Sequence, residues 1–258
     1  MSNNNVQKTA SYNLLSQVGK KVLRPGGLLL TQKLLENLNI NRNDDVVEFA
    51  PGLGFTAAIA LSKNPKTYTG IERDVASAKR LKKKFPNKNC SFVVANVSNC
   101  SLVNNVATKV YGEAMLTMHA DHRKAEIIKE AHRILKPNGL YGIHELVLST
   151  NKLSETESAA IKKELAQVSH VNARPLSVLE WESVLETNGF KVISVETSEM
   201  LLLEPKRMLA DEGFLNLLYI GLNLITHPKA MKRVLLLKTT FKKYRKNLNA
   251  VAIIAQKL

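Results

Sequence analysis

The sequence predicts an α/β fold, a parallel sheet with helices on both faces, and two observations carry that expectation. From Asp45 onward, short apolar runs alternate with helix-length segments, the rhythm of strands joined by crossover helices. The first run, Val46-Val47-Glu48-Phe49, stops at the turn Ala50-Pro51-Gly52-Leu53-Gly54. A glycine turn in that place lets a buried strand deliver a nucleotide-like ligand to a helix N-terminus.

Helical periodicity places an opening helix near 8–21 and, after the break Arg24-Pro25-Gly26-Gly27, a second over about 28–38. The alternation then gives strand 45–49, helix 55–62, strand 67–71, helix 74–85 and strand 91–95. It continues with a strand near 108–114, a helix over about 119–135, the turn Lys136-Pro137-Asn138-Gly139 and a strand over 140–148. Beyond Leu148 the rhythm loosens into helices over 155–168 and 177–187 and a strand over 190–195. Two helical stretches, 204–226 and 229–246, are split by Pro228, and a last strand covers 250–255. With no internal repeat or linker, a single domain over 1–258 is expected. Its parts are an N-terminal helical cap (1–40), a cofactor-binding core (41–148) and a C-terminal part (149–258) carrying a helical cap insertion over about 200–247.

Lys and Arg number 37 against 22 acids, a net charge of +15, which implies attraction to nucleic acid, anionic lipid or an acidic substrate. The charge is uneven: no Asp or Glu follows Glu212, whereas Lys229, Lys232, Arg233, Lys238, Lys242 and Lys243 all do. A solvated helix face is the plain alternative. Cys90 and Cys100 are the only cysteines, too few for a disulfide framework and not spaced as a zinc site, so packing residues in a reducing cytoplasm are expected. The N-terminus lacks an apolar signal core, and the longest apolar stretch, 214–225, is interrupted by Asn216, Gly221 and Asn223. A soluble protein is expected.

In an open α/β sheet the ligand lies beyond the carboxyl ends of the strands, which puts Ala50, Gly52 and Gly54 against it. Glycines there allow close backbone approach. About twenty residues on, Glu72 ends the second strand, where an acid accepts the hydroxyls of a ribose. Gly52-Leu53-Gly54-Phe55-Thr56-Ala57 also satisfies the relaxed dinucleotide fingerprint, so an NAD-dependent enzyme competes. Against it, Glu48 directly precedes the turn, where an anion repels a pyrophosphate, and no P-loop lysine follows the glycines. An adenosine without phosphate and with a cationic tail describes S-adenosylmethionine.

The chain resembles the class I S-adenosylmethionine-dependent methyltransferases, in their small-molecule, type-11-like branch related to quinone biosynthesis. Glu48-Phe49-Ala50-Pro51-Gly52-Leu53-Gly54 resembles the family's acid-x-Gly-x-Gly-x-Gly loop, with Ala50 for the first glycine. Ile71-Glu72-Arg73 looks like the ribose-binding strand end. Val94-Ala95-Asn96-Val97 is similar to the stretch whose acid meets the adenine amine, and Asn96 would serve through its amide oxygen. Tyr111-Gly112-Glu113-Ala114 and Ile134-Leu135-Lys136-Pro137-Asn138-Gly139 resemble the fourth strand and the turn before the fifth. The resemblance implies a Rossmann-like, doubly wound, seven-stranded sheet with an antiparallel last strand, capped by the N-terminal helices and the late insertion.

Methyl transfer is an in-line displacement, so holding the acceptor and excluding water supply most of the catalysis. Where the acceptor must lose a proton, the candidate bases are His144 and Glu145, with Glu113 and, from the opening segment, Tyr12. For His144 a hydrogen-bonded structural role stands beside the catalytic one, and Glu113 also fits a cofactor contact. Gly26, Gly27 and Thr31 fit either the methionine carboxylate, met through backbone donors entering a helix, or a plain turn. His119, Asp121 and His122 read as helix capping rather than a metal site, and no metal is expected.

RNA methylation is the competing activity. The exocyclic-amine tetrad of base methyltransferases is replaced here by Gly112-Glu113-Ala114-Met115, neither cysteine sits at the end of the fourth strand or the next, and aromatic residues make up only 5%. These features disfavour splayed bases. Phe214, Leu217, Leu218, Ile220, Leu222 and Ile225 nearly surround one helix. That pattern predicts a buried cap or, alternatively, an apolar pocket with a basic rim that takes a lipophilic or anionic small molecule, with peripheral membrane contact through the basic C-terminal helix. A non-catalytic lipid- or partner-binding relative is the third alternative.

Overall fold

In the computed structural model, which describes residues 9–149 and 153–258, the alternation forms one seven-stranded sheet. Strands β1 (Asp45–Phe49), β2 (Thr67–Glu72), β3 (Cys90–Val94), β4 (Ala107–Glu113) and β5 (Leu135–Leu148) pair in parallel in the order β3-β2-β1-β4-β5. β7 (Leu248–Lys257) inserts antiparallel between β5 and β6 (Phe190–Glu199). This is the expected Rossmann-like class, with its last strand reversed. Strand order switches direction between β1 and β4, where such sheets open a crevice beyond the strand ends.

Side chains alternate across each strand, so β1 feeds both faces. Val47 and Phe49 join Val110, Ile143 and Ile253 against Ile127 and Ile128 of α5 (Asp121–Ile134) and Trp181 of α7 (Val178–Glu186). Val46, on the opposite face, packs with Tyr68 and Tyr111 against Leu34 of α2 (Gly27–Asn37) and Ala57 of α3 (Phe55–Ser62). Three helix starts are set by side-chain caps. Asp74 caps α4 (Val75–Lys84), and capping boxes from Ser154 and Ser177 open α6 (Glu155–Ser169) and α7.

The cap is built from α1 (Ser11–Gln17), α6, α8 (Pro205–Glu212), α9 (Phe214–Thr226) and α10 (Pro228–Lys243). Its core joins Leu15, Leu165, Leu202 and Leu237 to Leu148 and Leu248 at strand ends. Glu212 ties α8 to the segment after α1: it accepts the backbone N–H groups of Lys21 and Val22 and pairs with the buried Lys20 ammonium at 3.2 Å.

Some boundaries differ from expectation, and four of the differences have a local reason. The opening helix covers only Ser11–Gln17, ending before Gly19 at φ +103°, and Lys8 lies outside the described residues. The expected turn at 136–139 is an irregularity inside β5, where the register to β4 shifts and Asn138 takes φ +62°. The helix expected over 204–226 breaks at Gly213, φ +74°, so that α8 and α9 meet at 119°. β6 continues to Glu199 because β7 pairs with it along that whole length.

Candidate functional site

The carboxyl ends of the strands and the cap enclose a cavity of about 660 Å³. Ala50, Gly52, Glu72, Arg73, Asn96, Val97 and Glu113, all named from the sequence, line it. At the cap end the wall is Leu165, Met200, Leu202, Leu237 and Phe241, with Tyr12 and His119 beside it. One end is therefore polar and walled by strand ends, the other apolar and walled by helices and the loop between β6 and α8.

The polar end is built by the glycine turn. Ala50, at φ +53°, and Gly52, at φ +56°, both take left-handed backbone. A Cβ at Gly52 would meet nothing closer than the Ala50 carbonyl at 3.9 Å, so the turn leaves room for a ligand. Gly52 N–H donates to Glu72 Oε2 at 3.3 Å and Asp74 N–H to Oε1 at 3.1 Å. This fixes the carboxylate at the cavity wall while each oxygen keeps acceptor capacity. Gly54 does not line the cavity; at φ +69° it opens α3, and a Cβ there would lie 2.6 Å from Leu81. Asn96 lines the wall but in a different posture from that expected. Its amide oxygen accepts from Ser98 N–H at 3.1 Å and Ser98 Oγ at 3.2 Å, leaving the amide N–H groups as the end for a ligand.

Glu113, at the end of β4, is the centre of a buried knot. Its Oε2 accepts from Arg24 Nη1 at 2.9 Å and from the Thr56 hydroxyl, and its Oε1 accepts from Thr31 Oγ1 at 2.6 Å and from His144 Nδ1 at 2.7 Å. Burial pushes this carboxyl up, but the Arg24 charge and the His144 hydrogen bond outweigh it and hold it at about 2. Glu113 therefore stays ionised with its acceptor sites taken, and it contacts the cavity without being free to bind or to act as a base.

Partners within the fold correct four expectations, two of them inside this knot. His144 is fully buried, and its second ring nitrogen, Nε2, faces the Pro25 carbonyl at 2.5 Å. Both ring nitrogens are thus committed to oxygens of the protein itself, and His144 does not line the cavity. Glu145 lines the cavity, as expected, but its oxygens are equally committed. It accepts from the backbone N–H groups of Met115, Leu116 and Thr117 and from the Thr117 hydroxyl, which fixes the loop after β4. Thr31 serves Glu113. At Gly27 the place expected for a carboxylate is filled by the protein's own anion: Asp211 of α8 accepts Leu28 N–H at 2.9 Å, and a Gly27 Cβ would sit 2.4 Å from its Oδ2.

Glu48 is the fifth correction. It points to the α2 and α3 face of the sheet, where its Oε2 accepts both the Tyr68 hydroxyl and, at 2.8 Å, the Tyr111 hydroxyl. It does not guard the turn. Burial raises this carboxyl to about 7 from an ordinary value of 4.5. The native state thus holds a proton that the unfolded chain releases across that window, so the group's contribution to stability is present below the window and lost as pH rises through it. Glu48→Gln is expected to raise stability by about 3 kcal/mol near pH 8, the gain vanishing below about pH 4.5. Urea denaturation of both proteins across this range checks it.

Two residues were missed. Arg24 lies between cavity-lining Leu23 and Pro25, is 8% exposed, and stacks over the Phe55 ring at 5.3 Å. Its Nε and Nη2 are buried with no hydrogen-bond partner among the described residues. Native proteins rarely leave such donors unmet, and an unpaired guanidinium edge matches a carboxylate. The sequence signal was a lone arginine in the apolar run Val22-Leu23-Arg24-Pro25. His119, read as capping, lines the cavity instead; burial and the nearby Arg123, Arg73 and Lys124 lower its pKa and favour a neutral ring. Its signal was its place on the loop after β4. Burial pushes the thiols of Cys90 and Cys100 up to about 11, which suits packing.

The family model for a methyltransferase domain, Methyltransf_11, matches residues 47–143. The chain is 29% identical over 253 residues to an uncharacterized protein of Haemophilus influenzae, covering 95% of this chain and 97% of that one. It is 26% identical over 189 residues to O-methyltransferase 12 of Dictyostelium discoideum, covering 71% of this chain and 48% of that relative, about half its length. Among solved structures it is similar to phosphoethanolamine N-methyltransferase 2 of Haemonchus contortus in complex with phosphomonomethylethanolamine and S-adenosylhomocysteine. That match has a TM-score of 0.71 at 18% identity and covers 95% of this chain and 56% of that one.

Proposed function

We propose that this chain, whose residues 47–143 match a methyltransferase-domain family model, is a class I S-adenosylmethionine-dependent methyltransferase that methylates a small organic acceptor of lipophilic or anionic character. The observation that carries this reading is the single cavity that joins Gly52, Glu72 and Asn96 to an apolar chamber walled by Leu165, Leu202 and Phe241. Its polar end fits the cofactor: Glu72 for the ribose hydroxyls, Asn96 for the adenine edge, the open turn at Gly52, and the unmet Arg24 donors for the methionine carboxylate. When bound, S-adenosylmethionine supplies an electrophilic sulfonium methyl group.

The chain's own residues then exclude water and place the acceptor. Leucines and methionines in the chamber favour an aliphatic acceptor over splayed bases, which want aromatic platforms. His119, neutral and on the wall, takes the acceptor's proton where one must leave. Two unpaired thiols fit a cytoplasmic home.

Calorimetric titration with S-adenosylhomocysteine tests the cofactor assignment: the parent protein binds, and Glu72→Ala binds at least about tenfold more weakly. A parent that takes up no cofactor removes the reading. Incubation with labelled cofactor and fractionated small-molecule, lipid and RNA extracts follows. Label is expected in the first two fractions, falling about a hundredfold in His119→Ala with cofactor affinity unchanged; label in RNA would displace the small acceptor.

A further inference from the structure

We infer that the outer face of α9, together with the basic surface of α10, docks on an anionic membrane. The sequence pattern suggested a helix buried in the cap, yet Ile220 is the only buried residue of α9. Leu215, Leu218, Leu222 and Ile225 are 81%, 51%, 63% and 70% exposed. Their spacing puts them along one helical stripe, and Phe214 and Tyr219, also exposed, flank it. A contiguous apolar stripe on the outside of a soluble fold marks an interaction surface.

Charge selects the occupant. Past Gly213 the chain has no acid at all. On α10, Lys229 and Lys232 are exposed and meet no acid among the described residues, while Lys243 pairs with Glu164. A second copy of this chain would set lysines against lysines at such a face, whereas acidic headgroups complement them. Length selects the mode. α9 has 13 residues, about 20 Å of helix against the ~30 Å hydrocarbon thickness of a bilayer. Among the described residues no single helix is long and apolar enough to cross, and the 119° bend at Gly213 prevents α8 and α9 from forming one straight span. α9 therefore lies in the interfacial plane, with α10 as its basic flank.

The inner side of α10 supplies Leu237 and Phe241 to the cavity wall. A helix resting on the bilayer would thus also wall the chamber, giving a lipophilic acceptor a short route in. This delivery role rests on the proposed methyltransferase reading; the docking itself does not.

Co-sedimentation with vesicles of phosphatidylcholine, with or without about 30% phosphatidylserine, tests the docking. The parent is expected to bind the anionic vesicles at least about tenfold more tightly than neutral ones, and to lose that preference as salt rises. Leu215→Ser with Leu222→Ser and Ile225→Ser removes the stripe. Lys229→Glu with Lys232→Glu reverses charge at two exposed sites without touching the core. Each set is expected to weaken binding by about tenfold or more, with unchanged cofactor affinity as the check on folding. No binding to anionic vesicles, or binding that neither set alters, overturns the inference. So does a parent dimer in light scattering that the leucine set dissociates, since it names a second copy as the occupant. Vesicle binding by a protein that takes no cofactor would sink the enzymatic reading and leave the docking intact.

Discussion

Glu113→Gln is expected to cost about 3–5 kcal/mol of folding stability at neutral pH, the range for breaking one side of a buried ion pair. The carboxylate balances Arg24 and accepts from His144, Thr31 and Thr56 inside the fold. Glutamine keeps the shape but removes the charge, and its N–H2 group replaces one of the two oxygens that accept from Arg24 and Thr56 or from Thr31 and His144. Because Glu113 is held at about 2, below its ordinary 4.5, its contribution is present above that window and lost as pH falls through it. The gap between parent and variant should therefore shrink as pH drops from about 5 to about 2, where a protonated Glu113 resembles the amide. Urea midpoints at several pH values measure this. A constant gap, or none at neutral pH, would refute the knot as the anchor between β4, β5 and the segment entering α2.

The strands, the glycine turn and the cavity-lining acid Glu72 were legible because their signals are local. Apolar runs of strand length, glycines at the strand end and an acid at the next strand end need no knowledge of partners. The roles of the other acids depend on register, which no local pattern contains. Glu48 pairs in register with Tyr111 of β4 and Gly70 of β2, and only that alignment shows that tyrosines await it on its face. His144 stands directly across from Glu113, 31 residues away in the chain, so its place as a buried donor follows from the pairing of β4 with β5. The α2 N-terminus read as a free anion site because Asp211, 183 residues from Leu28, arrives from the cap. The outward stripe of α9 was ambiguous for a related reason: an apolar helix looks the same in sequence whether it turns inward or outward.

That register also explains how an expectation reached for one reason stands on another. A carboxylate beside the turn was expected to repel a pyrophosphate, but Glu48 is buried elsewhere, and the carboxylate that contacts the cavity is Glu113, paired with Arg24. Arg24→Lys is the substitution that isolates the arginine's role. Lysine keeps a positive charge within reach of Glu113, so the knot retains its balance, but it loses the planar fork whose Nε and Nη2 have no partner among the described residues. If those donors receive the methionine carboxylate, affinity for S-adenosylhomocysteine should fall about 30- to 100-fold, the cost of one bidentate charge-assisted contact. Affinity for adenosine, which has no carboxylate, should change by less than about threefold. Calorimetry on both ligands supplies the contrast, and an unchanged urea midpoint shows that the lysine protein is folded. Equal losses for the two ligands would mean that Arg24 only shapes the pocket, and no loss for either would place the methionine carboxylate elsewhere in the cavity.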